Sequence, residues 1–263
     1  MKKLAIIAAG LILLVPTLAF PDTFSLRLGY FMPGASTDLT AHPDSLWAIE
    51  FDQMNFTKSK FQGSMLGLGY EYFVNPNISL AIALDSYSRS RPGYYAQYSQ
   101  TEFVEGNFAF PDGQEPSDIT DWYYIEHAFG VSSTPLQLSV KLLPLGRKAR
   151  LIPFVGGGAG FYFWSVKIQG EIIDFSEPWV YTDPELGDID IYPVLSGQYA
   201  KERGSQFGFH AFAGFEIPIG FRATIAAEAR YHWAKAELGA LLPGYEDFDL
   251  GGLAVTLGFN FWF

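Results

Sequence analysis

The chain closes on Leu253-Ala254-Val255-Thr256-Leu257-Gly258-Phe259-Asn260-Phe261-Trp262-Phe263. Leu253, Val255, Leu257, Phe259, Phe261 and Phe263 fall on one parity, and Ala254, Thr256, Gly258, Asn260 and Trp262 on the other. A period of two is that of a β-strand, whose successive side chains point to opposite faces. One face of this strand is wholly large and apolar, so it must be covered by a packed core or by lipid. A tilted strand that crosses a bilayer needs roughly 9–11 residues, which is the length of this run.

The same alternation recurs upstream. In 24–32, Leu26, Leu28 and Tyr30 alternate with Arg27, Gly29 and Phe31; in 65–73, Leu66, Leu68, Tyr70 and Tyr72 alternate with Gly67, Gly69 and Glu71. In 78–88, Ile78, Leu80, Ile82 and Leu84 alternate with Ser79, Ala81, Ala83 and Asp85. Further strands are predicted over 134–145, 151–167, 206–219 and 222–236, and the terminal run makes the eighth. Tight turns are marked by Val74-Asn75-Pro76-Asn77, by Gly146 to Arg150 and by Gly220-Phe221, where Gly, Asn and Pro supply the geometry. Long polar stretches over 91–127 and 169–205 read as loops; 46–56 alternates poorly and is placed in or above the first loop. Short and long connections therefore take turns along the chain. Aromatics gather near strand ends, at Tyr70, Tyr72, Phe163, Trp164, Tyr231, Trp233, Phe261 and Trp262, as an interfacial girdle requires.

This layout resembles the small eight-stranded bacterial outer-membrane barrels, the group that includes OmpX, OmpW and the membrane domain of OmpA. The resemblance is one of pattern and carries no subgroup motif. It implies an all-β, eight-stranded, antiparallel, up-and-down transmembrane barrel with short periplasmic turns and long extracellular loops. The alternating terminal run also resembles the C-terminal signal of that family. On that likeness Phe259, Phe261 and Phe263 form an assembly signal read by the barrel-assembly machinery.

Composition agrees. The chain has 263 residues, formal net charge −11, 17% aromatic residues and no Cys. Its mean hydropathy is close to neutral, which excludes a helical membrane protein and suits a barrel that hides its apolar residues in alternation. Lys2 and Lys3, the apolar stretch from Leu4 to Val15, Pro16 and the small residues before Ala19 read as a secretory signal peptide. The domains expected are a signal peptide over 1–19 and a barrel over 20–263. The destination is then the outer membrane of a diderm (Gram-negative) cell. The acidic balance argues against nucleic acid as a partner. Lipids and lipopolysaccharide of the outer membrane are the expected partners, and a monomer is the expected state.

If the apolar parity faces lipid, the other parity fills the interior. Arg27, Glu71, Asp85, Lys141, Glu216, Arg222, Glu228 and Arg230 fall there with His210 and His232. A hairpin closed at Gly220-Phe221 would set Arg230 opposite His210, with Glu216 near Arg222 and Thr224. Buried charges must be paired or wetted, and an eight-stranded barrel is just wide enough for its own side chains. These ten residues are therefore read as a structural ion-pair network in a packed polar lumen. His42 and His127 are expected to be solvated. No Ser is expected inward near His210, so the nucleophile–base pair of a hydrolase is not predicted. No catalytic residue, cofactor or metal site is expected. The run Asp183-Pro184-Glu185-Leu186-Gly187-Asp188-Ile189-Asp190 offers oxygens but lacks EF-hand spacing. The loops are otherwise read as a solvated acidic surface, with a sharper reading in which divalent cations bridge them to lipopolysaccharide phosphates.

The function read from these residues is non-enzymatic: a structural or surface-interaction protein of the outer membrane. The alternative is a passive channel for small or hydrophobic solutes, in which Gly156, Gly157, Gly158 and Gly160 leave lumen space or a lateral opening. A third reading is an enzyme acting on outer-membrane lipids. A soluble lipocalin-like carrier is the fold-level rival. It would need apolar side chains inside and a wet, charged exterior.

Overall fold

The computed structural model describes residues 22–34, 58–175, 178–236 and 248–263. The expected signal peptide, the 46–56 stretch and His42 lie outside them.

The described residues form twelve strands: β1 (Thr23–Pro33), β2 (Gly63–Asn75), β3 (Ile78–Phe103), β4 (Gly106–Pro111), β5 (Tyr123–Leu142), β6 (Ile152–Ile173), β7 (Trp179–Asp183), β8 (Gly187–Pro218), β9 (Ala223–Trp233), β10 (Lys235–Ala236), β11 (Phe248–Asp249) and β12 (Gly252–Trp262). A 3-10 turn spans Lys58–Phe61. The fold is all-β and every pairing is antiparallel. Twelve strands are thus described where eight were expected. Read in order, the long pairings run β1–β2–β3–β5–β6–β8–β9–β12 and return to β1. The short strands β4, β7, β10 and β11 stand off this circuit.

The terminal strand keeps the alternation read from its sequence. Leu257 is 65% exposed and Phe259 48%, whereas Ala254, Thr256 and Asn260 are buried. The same parity holds around the circuit: Leu28 (62%), Leu138 (65%) and Phe209 (57%) point out. Their neighbours Arg27, Gln137 and His210 point in. Apolar residues outside and charges inside exclude the lipocalin-like alternative, because that arrangement is stable only against an apolar medium.

The strands differ in length by more than twofold. β1, β9 and β12 have 11 residues each. Roughly 36 Å of strand at about 3.3 Å per residue, tilted by about 40°, spans a hydrocarbon layer of about 30 Å. β3, β5, β6 and β8 have 26, 20, 22 and 32 residues, so one side of the wall rises well beyond that layer. The stretches 91–127 and 169–205, expected as loops, are here largely strand. They carry polar side chains and proline, yet the β3–β5 and β6–β8 ladders continue through them. β4 and β7 join the raised part by pairing with β8. Phe108, Phe110, Ile189 and Ile191 give it an apolar core of its own, with Phe103, Trp122 and Tyr181 packed against them.

At the opposite end the turns hold one another. Asn77 donates its backbone N–H to Asn75 Oδ1 at 2.8 Å and its Nδ2 to the Leu143 carbonyl at 2.8 Å. Gly146 sits beside Asn77 at φ 66°, a left-handed conformation that favours glycine. β1 and β12 are tied there too, with Phe263 N–H donating to the Asp22 carbonyl at 3.1 Å.

Candidate functional site

Two charge clusters occupy the interior. In the first, Lys141 of β5 reaches Glu71 of β2 at 3.1 Å and Glu216 of β8 at 2.5 Å. One ammonium serves two carboxylates, and hydroxyls add further hydrogen bonds. Ser79 donates to Glu71, and Thr224 Oγ1 donates to Glu216 Oε2 at 3.0 Å. Asn260 Nδ2 in turn donates to Thr224 at 3.1 Å. In the second, Arg27 of β1 pairs with Asp85 of β3 at 2.8 Å and lies 3.7 Å from Glu228. Arg230 pairs with Glu228 at 2.9 Å, lies 4.0 Å from Asp85 and donates to Gln137. Its guanidinium also lies 4.6 Å from the centre of the Phe212 ring. Charges removed from water are tolerated because each has an opposite charge and further hydrogen bonds.

Small residues make the room. A Cβ on Gly67 would lie 2.1 Å from Asp85 Oδ1, and one on Gly156 would lie 2.3 Å from the Phe212 ring. On Gly158 it would lie 1.9 Å from the Leu138 carbonyl oxygen. Of the β6 glycines, Gly156 is covered from within by the Phe212 ring, and Gly158 and Gly160 lie against the backbone of β5.

Above the arginines lies a histidine layer, and here the sequence reading needs correction. The β8–β9 register places His210 opposite His232 and Phe212 opposite Arg230. Arg222 is exposed in the turn that Ile219 N–H closes onto the Ala223 carbonyl at 3.0 Å, so it does not join the network. The tight turn is longer than Gly220-Phe221, and the register slips by two residues, which keeps the parity. A Ser does face His210: Ser139 Oγ, from β5 across the interior, lies 2.7 Å from Nε2. Both residues are sealed from solvent, at 5% and 2% exposure. His210 Nδ1 has no hydrogen-bond partner among the described residues. His232 Nδ1 lies 3.2 Å from Gln137 Nε2 and 3.1 Å from Tyr162 OH. No group of His, Asp and Glu among the described residues is arranged to hold a metal ion.

The interior is layered rather than polar throughout. Beyond the histidines, Phe31, Phe61, Met65, Tyr87, Phe129, Tyr162, Trp164 and Val166 belong to a continuous apolar cluster. Trp164, expected in an outer aromatic girdle, is one of them, because it falls on the inward parity beside outward Phe163. At the opposite end, Phe73, Leu143, Ile152, Phe154 and Phe212 form a second apolar cluster. Arg147 lies 3.7 Å from the centre of the Phe73 ring and 4.5 Å from that of Trp262. Between the two clusters lies a cavity of about 50 Å³, bordered by Arg27, Glu71, Lys141 and Glu228.

In the raised wall, His127 is buried (4% exposed), not solvated as expected, with the Tyr95 ring 5.0 Å away. Burial pulls its pKa down to about 4, against a ring hydrogen bond to the Ile125 backbone carbonyl that acts the other way. Outside this core an open groove of about 840 Å³ runs between β3, β4, β5 and β6. Its polar floor is Gln100, Asn107 and Glu171, and its walls include Trp122, Tyr123 and Tyr124. Sequence reasoning assigned no site to Gln100, Asn107, Trp122, Tyr123 and Tyr124, and no role to the neutral interior groups Gln137, Ser139, Tyr162, Thr224 and Asn260. The interior groups were marked only by inward parity, whereas the groove residues lie in stretches read as loops.

The sequence matches the family model of the outer membrane protein beta-barrel domain over residues 33–261. Among curated proteins no match is found. Several solved structures are similar. The N-terminal barrel domain of Pseudomonas aeruginosa OprF is 9% identical, with 92% of this chain and 97% of that one covered and a TM-score of 0.41. A major outer membrane protein from Thermus thermophilus is 13% identical, with 92% and 99% covered and a TM-score of 0.43. Escherichia coli outer membrane protein W is 12% identical, with 94% and 100% covered and a TM-score of 0.38.

Proposed function

Since the chain belongs to the family of outer-membrane protein β-barrel domains, and so to the outer membrane, we propose that it acts there as a monomeric, non-conducting barrel whose work is done by its raised wall. The eight-strand circuit is the transmembrane barrel. The tight turns face the periplasm, and the tall β3, β5, β6 and β8 stand outside the cell with β4 and β7. Phe259, Phe261 and Phe263 serve as the signal for the assembly machinery. The observation that carries this reading is the closed interior: an ion-paired layer between two apolar clusters, with a cavity of about 50 Å³. That volume suits one or two waters, not a moving solute.

The reading is non-enzymatic. Ser139 and His210 are within hydrogen-bond reach, but they are buried. A nucleophile and its base also need a third group to orient the base and access for a substrate. Planar-bilayer recording of the purified protein tests the proposal. No discrete conductance steps are expected; stable open events with a defined unit conductance would overturn it in favour of the channel alternative. Unchanged lipid A by mass spectrometry after overexpression is the expected control for the enzyme alternative.

A further inference from the structure

The groove in the raised wall is an open concavity of about 840 Å³, and neither the barrel nor the interior network accounts for it. It arises from a break in register. Tyr94 of β3 pairs with Glu126 of β5, but the next pair is Ser99 with Tyr124. Four residues of β3 thus face one of β5, and the ladder parts. The floor is then built by four strands meeting there. Gln100 of β3, 4% exposed, donates its Nε2 to Glu171 Oε2 of β6 at 2.6 Å and to the Tyr124 carbonyl at 3.1 Å. Asn107 of β4 donates to Gln100 Oε1 at 3.2 Å. The Glu126 N–H donates to the same Glu171 oxygen at 3.0 Å. A floor cross-linked in this way is pre-organised.

The walls are aromatic. Tyr124 is 63% exposed, yet its ring is steadied by Tyr94 with centroids 4.6 Å apart. Trp122 is fixed by its Nε1–H bond to the Ile119 carbonyl at 2.9 Å and by the Phe110 ring at 5.2 Å. Tyr123 is 58% exposed. Fixed rings with wet faces beside planar amides and a carboxylate form a surface for a ligand with one apolar face and a rim of hydroxyls. Rings take C–H faces, amides donate and accept, and carboxylates accept from hydroxyls. The volume lies within the range of about 300–1,000 Å³ usual for small-molecule sites. Among the described residues no Lys or Arg lines the groove, while Glu126 and Glu171 do, so anionic sugars are disfavoured.

We propose that this groove binds an uncharged oligosaccharide, its pyranose faces on Tyr123 and Tyr124 and its hydroxyls on Asn107 and Glu171. The proposal rests on the reading that the raised wall faces outward. The ligand could be the cell's own neutral O-chain or a glycan outside the cell; the chemistry is the same.

The test uses the full mature chain in detergent, folded as shown by heat-modifiable gel migration, so that a failure of membrane orientation does not enter. Free neutral oligosaccharides (maltotriose, cellotriose and a glycan array), purified neutral O-chain polysaccharide and sulfated oligosaccharides are titrated by intrinsic fluorescence and by saturation-transfer NMR. Binding of a neutral saccharide is expected, with Tyr124→Ala and Asn107→Ala each weakening it about tenfold while gel migration is unchanged. Binding to O-chain alone assigns the groove to the cell's own envelope; binding to array glycans assigns it to an external one. No neutral binding at millimolar concentration, preference for the sulfated probes, or equal binding by both variants overturns the proposal.

Discussion

Lys141 sits between Glu71 and Glu216, which makes the three residues one energetic unit. Lys141→Met should strand two carboxylates in the interior and destabilise the barrel by about 3–5 kcal/mol. Changing all three at once to apolar residues of similar size should cost far less, because no lone charge is left behind. Urea unfolding in lipid vesicles, followed by gel migration, separates the two cases. His127 makes a different prediction. It is neutral in the folded wall, with a pKa near 4, against about 6.5 when unfolded. The unfolded chain takes up a proton first as pH falls. The stability due to this difference is therefore complete above about pH 6.5 and is lost as pH drops towards 4, by at most roughly 3 kcal/mol. After correction for the slower intrinsic exchange at low pH, the protection factors of Gly130 and Ile168 should fall between pH 7 and 5, and His127→Phe should flatten that dependence.

At the scale of elements, the division is between strands that close the circuit and strands that only decorate it. β4 pairs with β3 and β8 alone, while β3 keeps β2 and β5 through its lower half. Replacing 97–121 by a short turn should therefore leave a folded, heat-modifiable barrel and remove the groove. Loss of folding would mean that the raised wall is needed to close the circuit. Inside the circuit there is no such latitude. Gly158→Val sets a branched side chain against the Leu138 carbonyl in the β5–β6 ladder. The expected outcome is protein that fails to migrate as folded, whereas Gly220→Ala, whose Cβ would meet nothing, should be silent.

For the molecule as a whole, the lower barrel was legible in sequence because lipid imposes strict alternation on every strand that touches it. Leu257, Leu138 and Phe209 had only one face to take. Arg27, Glu71, Asp85, Lys141, Glu228 and Arg230 were then forced inside by parity, although parity says nothing about which charge meets which. The raised wall had no such signature. Its strands stand in water on one face, so polar residues and prolines along 91–127 and 169–205 disguised ladders that backbone hydrogen bonding maintains. Hence the expected loops and the solvated His127 both failed in the same region, for the same reason.

Period and parity are local properties, and the sequence by itself determined the class, the outward apolar face and the inward ionic one. What lies opposite what is set by turn length and register across the ring, and these belong to the closed sheet alone. Only the tertiary structure decided that His210 meets His232 and Ser139, that Arg222 stays outside, and that Trp164 seals the interior from above. It also decided that three strands converge on Gln100. Those contacts join residues about 20 to 90 positions apart in the chain, and no pattern along the chain encodes a distance across a barrel.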